Sequence, residues 1–228
     1  MSEIYSTAKP YRARRLPKRA HYDAATVHPI LDEGLVAHVA YVADDEVGPR
    51  PVVIPVYYAR VGERFLFHAS SKSGLGLAIK AGTPLCATVT LVDGIIFARS
   101  GFHHSMNYRS VVLHGAPEML AGEAKREALD LMVDRLASGR GAQVRPLNAK
   151  ELKATIVASL PLANVVAKVN AATAPNEEPA DLDWPVWAGI VPVETRLGHG
   201  VQHAPCLSDV ARPMEIEGKP FISHGDRS

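Results

Sequence analysis

The run FLFHASSKSG, Phe65–Gly74, decides the fold reading. Phe65–His68 reads as the end of a strand. A serine-rich turn follows, and Ser73–Lys80 reads as a short helix that Gly82 ends, with Leu75, Leu77, Ala78 and Ile79 as its apolar residues. Small residues in the turn let the backbone approach an anion closely. Ser70, Ser71 and Ser73 offer hydroxyl donors, Lys72 a positive charge, and the helix start free N–H groups. This is phosphate-binding chemistry, although the run is neither a GxxxxGK[ST] loop nor a GxGxxG turn. A serine before a helix also serves as a plain cap, and local chemistry leaves both readings open.

Working outward, the neighbouring segments read as strands with short polar connections. Leu35–Ala43, Val52–Tyr58 and Phe65–His68 precede the turn. Leu85–Val92, Ile95–Ala98 and Tyr108–His114 follow it, with Asp93-Gly94 as a hairpin signal between the first two. Connections this short demand antiparallel pairing. Asp23 caps a helix through Leu31 that Gly34 stops. Two more helices are expected over Glu123–Leu136 and Ala149–Ser159, and further strands over Val165–Val169 and Val186–Val193. The fold class is α+β dominated by β: a closed antiparallel, six-stranded split barrel with peripheral helices.

Composition fits that reading. Of 228 residues, 47% are apolar and 21% charged, enough for a substantial core. The formal net charge is +1, so no global field favours nucleic acid or an anionic membrane. No apolar run reaches the ~20 residues of a membrane helix, and the first residues lack the apolar core of a secretory signal. Cys86 and Cys206 form no CxxC pattern, which supports no zinc or redox motif, and a cytoplasmic location is expected. Lys9, Arg12, Arg14, Arg15, Lys18 and Arg19 make residues 1–20 a basic arm. It is either solvated or closed over an anionic cofactor or a partner subunit. The domain proper is expected over 21–198, with an irregular tail over 199–228. APNEEPADLDWP (174–185) between the last strands is an acidic, proline-rich surface loop.

Two other stretches carry chemistry. FHHSMNYRS, Phe102–Ser110, gathers two histidines, an amide, a phenol and a guanidinium beside an apolar strand. Arg109 has the fork geometry for phosphate or a flavin carbonyl. His103 and His104 are adjacent, so on a strand they face opposite sides and make a poor pair of ligands for one ion. No third ligand stands at metal-site spacing, so no metal centre is expected. In PVWAG, Pro185–Gly189, Trp187 suits stacking on an aromatic ligand and equally a core or interface position.

The order and spacing of these pieces, from Lys18 to about Arg196, resemble the pyridoxamine 5′-phosphate oxidase-like family of FMN-binding split barrels. HHSMNYRSVV resembles more narrowly a bacterial flavin-nucleotide-binding subgroup related to nitroimidazole-resistance proteins. The resemblance implies that RPVVIP, with Arg50, Val53, Ile54 and Pro55, runs along the isoalloxazine ring. It implies that Phe67, His68, Ala69, Ser71, Lys72 and Ser73 surround the ribityl phosphate, with Lys72 as its basic ligand. Asn107, Tyr108, Arg109 and Ser110 lie on the next flavin-contacting strand, and Trp187 comes from a partner subunit.

A homodimer with FMN at the interface is implied, acting on a small molecule as a flavin-dependent oxidoreductase, with His68 or Tyr108 as a proton donor. FAD, a deazaflavin and haem are alternative cofactors. The alternative function is a flavin or haem carrier without turnover, for which His68, His103 or His104 are candidate axial ligands. No nucleic-acid or membrane partner is expected. VETRLGHGVQHAP departs from true pyridoxamine phosphate oxidases: Arg196 replaces an aromatic residue and the Arg-x-His pattern is missing. That argues against vitamin B6 oxidation and does not touch the cofactor.

Overall fold

A computed structural model describes residues 5–8 and 11–197. Ten strands make one antiparallel sheet: β1 (Ala20–His21), β2 (Val36–Asp45), β3 (Gly48–Val61), β4 (Arg64–Ser70), β5 (Leu85–Phe97), β6 (Ser105–Gly115), β7 (Glu118–Leu120), β8 (Thr155–Pro161), β9 (Val165–Asn170) and β10 (Gly189–Pro192). The order is β1-β9-β6-β5-β2-β3-β4-β8-β7, and β10 adds to β5. The expected six-stranded closed barrel is therefore corrected to an open ten-stranded path with β1 and β7 at its ends. The sheet curls round one core, in which Val39, Tyr58, Phe65, Phe67, Val89, Leu113, Leu160 and Ala167 from seven strands pack together. Burying these side chains is the main force that bends the sheet.

The curl has a seam. β3 is 14 residues long and serves two neighbours in turn. It pairs with β2 up to Tyr57, then with β4 from Tyr58, where the ladder begins at Tyr58↔Phe67. Before that point β3 and β4 diverge.

Helix α1 (Ala24–Glu33) plugs the curl with Val27, Ile30 and Leu31. As expected, Asp23 caps it by accepting from the Thr26 amide at 2.9 Å, and Gly34 follows it. Helix α2 is Gly74–Lys80. Helix α3 (Gly122–Leu136) packs Ala128 onto Leu66 and Val157 in a second, smaller core. Short helices α4 (Arg140–Gln143) and α5 (Ala149–Ala154) follow.

Two expectations are corrected. The helix read over Ala149–Ser159 stops at Ala154, because Thr155–Pro161 forms β8. Ile156–Leu160 are all buried, so this apolar run is a strand covered on both faces rather than a helix stripe. Asp93-Gly94 is not a hairpin turn. β5 runs straight through it, pairs with β6 on both sides, and shifts register between Val92 and Gly94. That is a β-bulge, which re-aims a side chain without ending the ladder. The tail over 199–228, with Cys206, lies outside the described residues.

Candidate functional site

The seam between β3 and β4 opens into a cavity of about 390 Å³. Its walls are Tyr41 of β2, Ile54, Pro55, Val56 and Tyr57 of β3, His68, Ala69 and Ser70 of β4, and Ser73, Gly74 and Leu75 at the start of α2. The run FLFHASSKSG thus supplies five of these residues and turns at the cavity mouth.

The local physics of the turn is clear. Ser73 Oγ accepts from the Gly76 amide at 3.1 Å and donates to the Ser70 carbonyl at 2.8 Å. The hydroxyl both caps α2 and closes the turn. The Ser71 amide donates to the Ala154 carbonyl at 2.8 Å, and Lys80 Nζ donates to the Ser71 carbonyl at 2.7 Å. Lys72 is exposed, and among the described residues no hydrogen bond or ion pair holds its ammonium. It is an exposed charge in the turn between the lining residues Ser70 and Ser73. A Cβ on Gly74 would lie 2.7 Å from the Tyr41 hydroxyl, so glycine lets the helix start close down on the cavity wall.

His68 as a whole is an exposed residue, yet desolvation by its surroundings still lowers its pKa below the ordinary histidine value. A neutral imidazole at the cavity mouth can accept or donate one hydrogen bond. Tyr57 is fixed from outside: its hydroxyl donates to the Met132 carbonyl of α3 at 2.9 Å. Arg135 of the same helix donates to the carbonyls of Leu31 at 2.8 Å, Asp32 at 2.9 Å and Gly34 at 2.5 Å, and also to that of Tyr58. Its guanidinium lies 4.7 Å from the Tyr58 ring centroid. One helix therefore ties the end of α1 to the strand that walls the cavity.

The expected site residues separate into groups. Ile54, Pro55, His68, Ala69 and Ser73 line the cavity, with Ser71 and Lys72 in the turn beside it. Phe67 is fully buried in the core and supports the wall from behind. Arg50 sits at the β2–β3 turn, paired with Asp45 at 2.7 Å. Val53 is 55% exposed on the outer face of the sheet. Asn107 donates to the Ala172 carbonyl and accepts from its amide, both at 2.9 Å, which fixes the exit of β9. Tyr108 sits in the ladder between Val92 and Asn170, and Ser110 Oγ is 3.4 Å from the Lys168 carbonyl.

Arg109, expected to meet phosphate or a flavin carbonyl, pairs its guanidinium with Glu33 at 2.5 Å and Asp93 at 2.7 Å, and it is not among the residues lining the cavity of its own chain. The bulge at Asp93 provides that carboxylate. Hydrogen bonds to Glu33 and then to Asp93 raise the Arg109 pKa, so its charge is already matched within the chain. Trp187 is 65% exposed and packs on Phe97 at 5.9 Å, apart from the cavity lining of its own chain.

Tyr41, Val56, Tyr57 and Leu75 were not anticipated. Only the inward alternation of Tyr41 in β2 hinted at its place.

The sequence profile of the pyridoxamine 5′-phosphate oxidase family matches residues 23–169. The chain belongs to this family. Similarity extends over nearly the whole chain to the flavocytochrome Anf3 from Azotobacter vinelandii, with 34% identity, 93% of this chain and 97% of that one covered, and a TM-score of 0.84. An FAD- and haem-binding protein from Mycobacterium smegmatis matches with 32% identity, 88% and 96% coverage, and a TM-score of 0.80. A proposed 5-nitroimidazole resistance protein from Bacteroides thetaiotaomicron shares the fold, with 20% identity, 66% and 86% coverage, and a TM-score of 0.50. No curated protein matches. Among the described residues no helix is long and apolar enough to cross a membrane.

Proposed function

We propose that this member of the pyridoxamine 5′-phosphate oxidase family is a flavoprotein acting as an oxidoreductase on a small molecule. The cavity at the β3–β4 seam carries the reading. Its volume suits a small-molecule site, its walls are mostly apolar, and a few polar groups converge at one end. A planar ring fits between Ile54–Tyr57 and His68–Ala69, and phosphate fits the Ser70–Ser73 turn with Lys72 as its counter-charge. A bound flavin supplies electron or hydride transfer. The chain's own part is to hold and orient it: Lys72 neutralises phosphate, Tyr57 fixes the wall through α3, and neutral His68 exchanges a hydrogen bond at the mouth. Arg109 is assigned to scaffolding.

The family resemblance implied FMN. The relative named for binding FAD is 32% identical over 88% of this chain, and it moves the reading to the dinucleotide. A homodimer, with Trp187 serving the partner's cavity, remains part of the proposal. The exposed apolar residues Val36, Val42 and Val53 on adjoining strands support a covered sheet face.

A second ligand, haem, has specific support. Of the two similar proteins described above at 34% and 32% identity, one is a flavocytochrome and the other binds haem. Extraction of the purified protein followed by mass spectrometry tests both readings. FAD at one per chain supports the proposal, FMN in its place restores the mononucleotide, and haem alone favours the carrier. A chain with no chromophore that takes up neither flavin overturns the proposal.

A further inference from the structure

The sequence on either side of the serine-rich turn carries charge of one sign only. No carboxylate occurs between Arg64 and Asp93, and none between Glu151 and Glu177. The fold brings these two acid-free stretches together, because β4 pairs with β8. Lysines gather where they meet. Lys80 Nζ donates to the Ser71 carbonyl at 2.7 Å, and Lys125 Nζ donates to the carbonyls of Leu152 at 2.6 Å and Thr155 at 2.5 Å. These two ammonium groups have a structural duty, since they bind carbonyls of the turn and of the end of α5. Lys72 and Lys153 have none. Both are exposed, and among the described residues no hydrogen bond or ion pair holds either ammonium. The neighbouring carboxylates are engaged elsewhere: Glu151 pairs with Arg145 at 2.9 Å, and Glu123 lies 4.0 Å from Arg126.

The two free lysines are placed by one ladder. Pairing of β4 with β8 closes at Ser70↔Thr155, and the Ser71 amide then donates to the Ala154 carbonyl at 2.8 Å. Lys72 and Lys153 are the next residues on the two segments, so the ladder ends on two cations. Like charges at facing positions of a strand pair repel. An anion beside both converts that repulsion into attraction. The sheet order β3-β4-β8 sets the direction. The cavity lies on the β3 side of β4, the turn with Lys72 follows the end of β4, and Lys153 stands one strand farther from the cavity, a step of ~4.8 Å. At about 390 Å³ the cavity is near the lower end of the range for small-molecule sites. It suits a ring system rather than a whole dinucleotide, whose remaining half must lie outside.

We infer that Lys153 binds the second phosphate of a flavin dinucleotide while Lys72 binds the first, so that the adenylate half leaves the cavity across the end of the β4–β8 ladder. This rests on the flavin reading and deepens it, because it names the residue by which the chain tells FAD from FMN. One ammonium stands to each phosphate, and no carboxylate of either stretch opposes them.

Calorimetric titration of the full-length chain, stripped of bound flavin, tests it with FAD and FMN in wild type, Lys153→Gln and Lys153→Arg. The wild type should bind FAD at least about tenfold more tightly than FMN, the worth of one charge-assisted contact. Lys153→Gln should weaken FAD about tenfold and leave FMN within about twofold, and Lys153→Arg should keep the preference. Lys153 is exposed, so neither substitution should move Tm. A wild type that binds the two flavins equally overturns the inference alone. So does a Lys153→Gln chain that keeps the wild-type preference, which makes Lys153 a solvated surface cation. FMN weakened as much as FAD also overturns it, by placing Lys153 on the first phosphate. A wild type that binds neither flavin overturns the flavin reading itself, and this inference with it.

Discussion

Ser73 shows how one side chain sets a site. Its hydroxyl caps α2 and closes the turn that Lys72 rides on. Ser73→Ala should cost about 1 kcal/mol, read as a lowered Tm. Lys72 has no such structural duty. Lys72→Ala should leave Tm unchanged and raise the flavin Kd about tenfold, the loss of one charge-assisted contact. Equal affinity would remove Lys72 from the phosphate site. His68 and His114 make a third case, since burial lowers the pKa of both. Between the lowered folded values and the ordinary one, the unfolded chain binds more protons. Stability therefore rises as pH climbs through that window and falls below it. Tm should drop from about pH 7.5 to about pH 5.5, and His68→Gln with His114→Gln should flatten the drop.

Arg109 marks the step from residue to element. Its partners are Asp93 on a bulge and Glu33, which is 76 residues distant. Neither is visible from the wording NYRS, so a guanidinium beside a candidate site looked free. Arg109→Leu leaves two partly buried carboxylates unpaired. It should cost about 1–3 kcal/mol of stability while the flavin Kd stays within about twofold. A large loss of affinity with unchanged Tm would return Arg109 to the phosphate. Arg135→Ala should cost more, about 2–4 kcal/mol, because one guanidinium satisfies four carbonyls and covers Tyr58. Urea unfolding separates the two.

Elements were legible where periodicity and caps agreed. Asp23 before α1, Ser73 before α2 and the apolar spacing of α3 all placed their helices. They were illegible where pairing partners decide. Asp93-Gly94 has the composition of a turn, but both flanking segments pair with β6 and the chain runs on. Thr155–Pro161 has no alternation because both of its faces are covered.

At the scale of the molecule, the sheet and its antiparallel order followed from short connections, whereas its openness did not. Closure depends on how β3 divides its length between β2 and β4, which no local pattern encodes. That division also makes the cavity, so the fold's departure from a closed barrel and its candidate function have one cause. Five of the fifteen expected site residues line the cavity, three of them from the one contiguous run, FLFHASSKSG, that builds the mouth. The rest was assigned through residues whose partners lie far away in sequence.

The central claim is that flavin occupies the β3–β4 seam. The visible absorption spectrum of the purified protein, recorded for wild type beside Gly74→Leu at equal concentration, tests it most directly. Gly74 begins α2 at the cavity wall, where any Cβ would lie 2.7 Å from the Tyr41 hydroxyl, so a leucine there pushes into the cavity and displaces that hydroxyl. The wild type should show the two-banded spectrum of oxidised flavin, and Gly74→Leu should lose it while keeping the far-ultraviolet circular dichroism of the native fold. A wild type that stays colourless with added flavin, or a folded Gly74→Leu that keeps the full spectrum, would contradict the account.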